Sequence, residues 1–157
     1  MTGVTVTSVE PAGGNEPGRI RYLNTDLDLV SQQDLRPLTD AFEAGGVSPL
    51  HVAAADDGRW SATLETDEQF AEPEQTIAVM LTVIEALAPV LRQCWDRCEL
   101  REFNMGYDCG DEPWAFSQGL SNRLLTRVAA VGATLRMTIY PQREGTDVCA
   151  GELPPEM

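Results

Sequence analysis

The sequence predicts an α+β protein: a single mixed β-sheet with helices on one face, in the order β-α-β-β-α-β-α-β, a ferredoxin-like or split βαβ variant. Three observations lead there. Several runs alternate apolar and polar residues at period two, as half-exposed strands do. The segments between them carry apolar residues at helical spacing. The polar sides of the alternating runs imply that the second face of the sheet is open to solvent. At 157 residues and 43% apolar composition the chain suits one domain. That domain is expected over residues 1–141, with 142–157, poor in apolar residues and containing Pro154-Pro155, as a flexible acidic tail.

The elements follow in order. Val4 to Val9 is β-prone and is followed by a loop composition, Pro11 to Gly18. Arg19 to Val30 then alternates, placing Leu23, Leu27 and Leu29 on one face and Asn24, Asp26 and Asp28 on the other. Ser31 is a suitable N-cap for a helix carrying Leu35, Leu38 and Phe42, with Pro37 either late in its first turn or distorting it and Gly45-Gly46 at its end. Val47 to Ala55 and Arg59 to Glu65 flank Asp56-Asp57-Gly58, whose last step supplies the positive φ of a tight hairpin. Pro73 opens the clearest helix, with Ile77, Met80, Leu81, Ile84, Leu87 and Leu91 on one face. Pro89 is expected to kink it or to start a second helix with Cys94, Trp95 and Cys98. Leu100 to Tyr107 alternates again, setting Phe103 and Met105 against Glu102 and Asn104. Ser121 caps a short helix bearing Leu124, Leu125, Val128 and Val131 before Gly132. In the last strand Leu135, Met137 and Ile139 join the core side and Arg136, Thr138 and Tyr140 the polar side, ending at Pro141.

Charge bounds the partners. Twenty-five Asp and Glu face eleven basic residues, all Arg, giving a formal charge of −14. Such a chain repels phosphate backbones and anionic lipids and favours encounter with a basic protein. Direct nucleic-acid binding, which needs clustered cations, is not expected. Without Lys there is no Walker or Schiff-base lysine, and no Gly-x-Ser-x-Gly elbow or glycine-rich phosphate loop occurs. The longest apolar stretch, Ile77 to Leu91, is broken by Thr82, Glu85 and Pro89, short of the roughly 20 residues of a membrane span. The opening Met1-Thr2-Gly3-Val4 lacks the features of a secretory signal, so a cytoplasmic location is expected.

Four cysteines, Cys94, Cys98, Cys109 and Cys149, are therefore read as free thiols. Cys94 and Cys98 share a helix face, but their spacing is not that of a zinc ribbon, and Cys109 and the lone His51 are the remaining ordered candidate ligands. No cofactor or metal is expected, and His51, in the apolar run Pro49 to Val52, reads as an ordinary strand histidine.

Two regions stand out as an interaction surface. On the polar sheet face the alternation collects Asp26, Asp28, Glu102, Asn104, Arg136 and Tyr140, provided their strands are neighbours. The loop after Tyr107 combines Asp108, Asp111 and Glu112 with Trp114 and Phe116; its aromatics either tuck beneath the loop or stand out as interface anchors. Close carboxylate pairs arise by chance among so many acids, and nothing in the sequence marks one as a catalytic pair.

Phe103-Asn104-Met105-Gly106-Tyr107-Asp108 and Val128 to Pro141 resemble segments of small bacterial cytosolic α+β proteins, some of which serve as immunity proteins beside polymorphic toxins. The resemblance implies a non-enzymatic binding role and carries over no functional residue. The all-Arg basic set, with abundant Ala, Gly and Pro, fits a high-GC bacterial genome. The expected function is a protein-binding module for a basic partner, with an immunity-type inhibitor as the form the resemblance implies. The alternative is a small enzyme or ligand-binding domain using the loop over residues 106–116.

Overall fold

Alternation along the first described strand sets the architecture. The computed structural model describes residues 18–142; the expected Val4 to Val9 strand, Cys149 and the tail beyond Gln142 lie outside the described residues. The elements are β1 (Arg21–Ser31), α1 (Arg36–Ala44), β2 (Val47–Ala54), β3 (Trp60–Thr66), α2 (Pro73–Glu85), α3 (Pro89–Asp96), β4 (Leu100–Asp108), α4 (Asn122–Ala130) and β5 (Thr134–Tyr140). They form one mixed sheet in the order β2-β3-β1-β4-β5, antiparallel throughout except for the parallel pair β4 and β5. The first four strands are thus interleaved as in the split βαβ arrangement, and α4 with β5 appends one further parallel unit. The expected class and strand order hold, and of the two outcomes expected at Pro89 the second helix is the one formed: the long helical stretch divides into α2 and α3.

In β1, Thr25, Leu27, Leu29 and Ser31 are buried beneath the helices, while Asn24, Asp26 and Asp28 lie on the opposite face. Leu27 pairs across with Leu64 and with Phe103, so three strands deliver apolar side chains to one layer. A bulge between Tyr22 and Asn24 corrects the expected place of Leu23: it is the extra residue, and Tyr22 takes the core side, its ring 5.6 Å from that of Tyr107. The Tyr22 hydroxyl is satisfied by Thr25 Oγ1 (2.6 Å) and Thr76 Oγ1 (3.0 Å).

Ser31 does not cap α1. It ends β1, buried, and its hydroxyl accepts from the Gln33 N–H (3.1 Å), turning the chain before the helix. The helix begins at Arg36 with Pro37 in its first turn, where a missing N–H costs nothing, and Gly46 at φ +89° closes it. Gly58 at φ +83° makes the β2–β3 turn as expected. Ser121 does cap α4, accepting from Leu124 N (3.1 Å).

The core lies between the sheet and the helices around Leu27, Phe42, Leu64, Ile77, Ile84 and Phe103. Trp95 of α3 is fully buried, 6.2 Å from the Phe42 ring, and its indole N–H donates to the Val131 carbonyl (2.8 Å), tying α3 to the end of α4. α4 also leans on α2: Arg127 pairs with Glu85 (2.6 Å), and Glu74 accepts from the Ser121 N–H (2.6 Å). With only nine residues, and with Leu124 and Val128 buried inward, α4 leaves β5 uncovered. Met137 and Ile139, expected in the core, are accordingly 53% and 60% exposed, while Leu135 is partly buried; Leu125 is exposed as well.

Replacing Trp95 by Phe keeps most of the volume but strands the buried Val131 carbonyl, at a cost of about 1–3 kcal/mol. Urea denaturation of W95F checks this; an unchanged midpoint would show that the bond contributes nothing.

Candidate functional site

The uncovered face of the sheet is built by the polar halves of its alternating strands. Register places Asp26 opposite Asn104, Asp28 opposite Glu102 and Asp28 opposite Thr63, so β3, β1 and β4 present one continuous polar surface. β5 continues it, with Arg136 beside Asn104, Thr138 beside Gly106 and Tyr140 beside Asp108. The Tyr140 ring lies over Gly106, 3.4 Å from where a Cβ would stand. The expected cluster of Asp26, Asp28, Glu102, Asn104, Arg136 and Tyr140 is therefore brought together on one face.

Its carboxylates are unequally supported. Glu102 is buried and accepts from Arg136 Nε (2.5 Å) and Thr134 Oγ1 (3.2 Å). Asp28 accepts from Thr63 Oγ1 (2.9 Å), and Asn104 Oδ1 accepts from Thr138 Oγ1 (2.7 Å). Glu65, which accepts from Asn24 Nδ2 (2.9 Å), was not among the residues singled out from sequence. Counting alternate residues forward from the Asp-Gly turn would have placed it there, with Ser61 and Thr63. Asp26 is the exception. Half-burial, with Asp28 and Glu65 adding negative potential, pushes its carboxyl from the usual 3.8 up to about 6.

A shallow depression of about 380 Å³ lies on this face, with Asp28, Thr63, Glu102, Asn104 and Arg136 in its wall. Such a floor of carboxylates and hydroxyls suits cationic or hydrogen-bond-donating groups.

The second region lies at one end of the sheet. The loop after β4 is clasped to the start of β1: Ile20 N donates to Glu112 O (2.7 Å), and Asp111 N and Glu112 N donate to Gly18 O (3.0 and 3.1 Å). Gly110 permits this clasp, since a Cβ there would stand 2.3 Å from Gly18 O. The two aromatics differ in their packing. Phe116 packs edge-on against Tyr107 at 5.6 Å, whereas Trp114 is 98% exposed. Of the loop acids, Asp108 pairs with Arg21 (3.3 Å), and Asp111 and Glu112 are exposed. A groove of about 410 Å³ runs under the loop beside β5, lined mainly by Ile20, Tyr107, Phe116, Met137 and Ile139. Tyr107 is buried, its hydroxyl finds no partner, and burial beside Tyr22 holds its pKa up at about 12.

Cys94, Cys98 and Cys109 form no disulfide. Burial pushes the Cys98 thiol up to about 11, making it unreactive, and it donates to the Cys94 carbonyl (3.4 Å). Cys109 is exposed, but His51, whose Nε2 is 3.3 Å from Ser61 Oγ, belongs to β2. β2 and β4 are three strand spacings, about 14 Å, apart, too far for His51 and Cys109 to act on one atom. Among the described residues no group of three or more His, Cys, Asp or Glu is placed to hold a metal ion, and no helix is long and apolar enough to cross a membrane.

The fold and this face define an α+β protein with a half-covered mixed sheet and an acidic open side. Compared with known proteins, the chain matches no family model, no curated protein and no solved structure.

Asp26 carries a stability consequence. Because its folded pKa lies above the unfolded one, the folded state holds more protons between about pH 4 and 6, so stability falls as pH rises through that window. A shift of this size is worth about 3 kcal/mol at full strength, and half-exposure reduces it to the order of 1 kcal/mol. Asp26→Asn is expected to raise stability by that amount at pH 7 and to leave it unchanged near pH 4. Denaturation at both pH values measures it, and equal effects at the two would remove the electrostatic cause.

Proposed function

We propose that this chain is a non-enzymatic protein-binding module whose open sheet face receives a basic partner. The observation that supports it most is Asp26, kept on a functional-looking surface between Asp28 and Glu65 although its charge there costs stability. A guanidinium or ammonium from a partner would relieve that repulsion, turning an unfavourable term of the free protein into affinity. The −14 charge speeds the encounter, and Trp114, fully exposed on a clasped loop, is a ready aromatic anchor at the end of the same sheet. An immunity-type inhibitor, covering a basic surface of a toxin, is the form of this role that the sequence resemblance implies.

The test is kinetic. With the partner recovered on the full chain, the association rate should fall as salt rises through a Debye length of about 8 Å at physiological ionic strength. Asp26→Asn with Asp28→Asn should slow association about tenfold, and Trp114→Ala should act mainly on dissociation. An acidic partner, or association indifferent to both salt and the two neutralised aspartates, would sink the proposal.

A further inference from the structure

The two edges of the sheet are built differently. β2, the first edge, carries Pro49, which has no N–H to offer, and a bulge between Pro49 and His51 that interrupts its flat run. These are devices by which proteins keep an edge from pairing with other chains. β5, the other edge, has neither. It reads Thr-Leu-Arg-Met-Thr-Ile-Tyr, without Pro, Gly or an acidic residue, and stays in unbroken register with β4 from Thr134 to Tyr140. The Tyr140 carbonyl accepts from Cys109 N on the β4 side (2.9 Å), so strand alternation turns the N–H and C=O groups of Leu135, Met137 and Ile139 outward. No described strand lies beyond them.

We infer that β5 is a docking edge at which an extended segment of the partner adds a sixth strand. This rests on the reading that the partner is a basic protein. A strand laid there alternates its side chains between two environments. On one side it meets Met137, Ile139 and the groove under Phe116, which takes an apolar side chain. On the other it continues the polar face that holds Thr138 and Tyr140. At the Tyr140 end the neighbouring carboxylate is Asp108, and just past it Asp111 and Gln142 both come close to Gly18, which favours an arginine or lysine there. The segment is thus alternately apolar and polar with a basic end. Charge disfavours a second copy of this chain, since each carries −14.

The probe is a short acetylated, amidated peptide of alternating valine and threonine with an arginine at each end, titrated at low salt into the full-length, isotope-labelled chain. Amide signals of Leu135, Met137 and Ile139 should shift and gain exchange protection. The same peptide N-methylated at alternate residues should bind about tenfold more weakly or worse, equivalent to about 1.4 kcal/mol. Met137→Pro removes an outward N–H that no described strand pairs with and should weaken binding similarly; Ile139→Lys is a second variant with a gentler backbone effect.

Equal binding of the N-methylated peptide, or no binding at millimolar concentration, overturns the inference. Shifts confined to Asp26 and Asp28 also overturn it while leaving the acidic-face reading intact; shifts confined to the groove would mark a side-chain or small-ligand pocket instead. A dimer in sedimentation with β5 amides already protected would assign the edge to a second copy. Conversely, strand pairing with a natural partner whose association rate is unchanged by Asp26→Asn with Asp28→Asn would uphold this edge and end the acidic-face reading.

Discussion

β1 is hydrogen-bonded on both sides, to β3 and to β4, and its two faces are chemically opposite: Leu27 and Leu29 on one, Asp26 and Asp28 on the other. A slip of one residue would expose both leucines and drive both aspartates beneath the helices, where an unpaired carboxylate is very costly. The hydrophobic core and the acidic surface are therefore two consequences of one register. The single departure, the bulge at Leu23, turns Tyr22 to the helix side, where its hydroxyl reaches Thr76 of α2 and its ring meets that of Tyr107.

Much of this was legible in the residues. Period two identified the face of Asp26, Asp28, Glu102, Asn104 and Arg136, and the Asp-Gly turn and the two prolines at Pro73 and Pro89 marked their elements because each fixes a backbone geometry locally. What escaped depended on distant partners. Alternation tells which side of β5 Met137 and Ile139 occupy, but only the length and lean of α4 decide whether anything covers them. Ser31 satisfied the composition of an N-cap, yet pairing of Ser31 with Trp60 kept the chain extended one step further. The loop aromatics offered no local criterion at all: Trp114 and Phe116 differ in fate because only Phe116 reaches the Tyr107 ring.

The acidic face is not uniformly costly. Glu102 has Arg136 and Thr134, and Asp28 has Thr63, so these carboxylates exchange water for specific partners at little net loss. Asp26 is half-buried beside Asp28 and Glu65, whose like charges act on it. A neutral asparagine would satisfy the same space with less repulsion. Charge placed where it weakens the fold is more easily understood if it is used by something outside the fold, as sites that trade stability for binding are.

β5 connects the two regions that sequence reading kept apart. Its polar side chains complete the acidic face, and its apolar ones floor the groove under the 106–116 loop. The ferredoxin-like core alone would have ended at β4, with Phe103, Met105 and Tyr107 as its last covered row. Adding β5 without adding a helix long enough to cover it moves the boundary of the core inward by one strand. The result is an edge in unbroken register that no described strand covers, with the acidic sheet face on one side and exposed hydrocarbon on the other. A partner seated against that edge would meet backbone, charge and apolar surface within one strand spacing of about 4.8 Å, whereas one approaching β2 would meet a proline and a bulge.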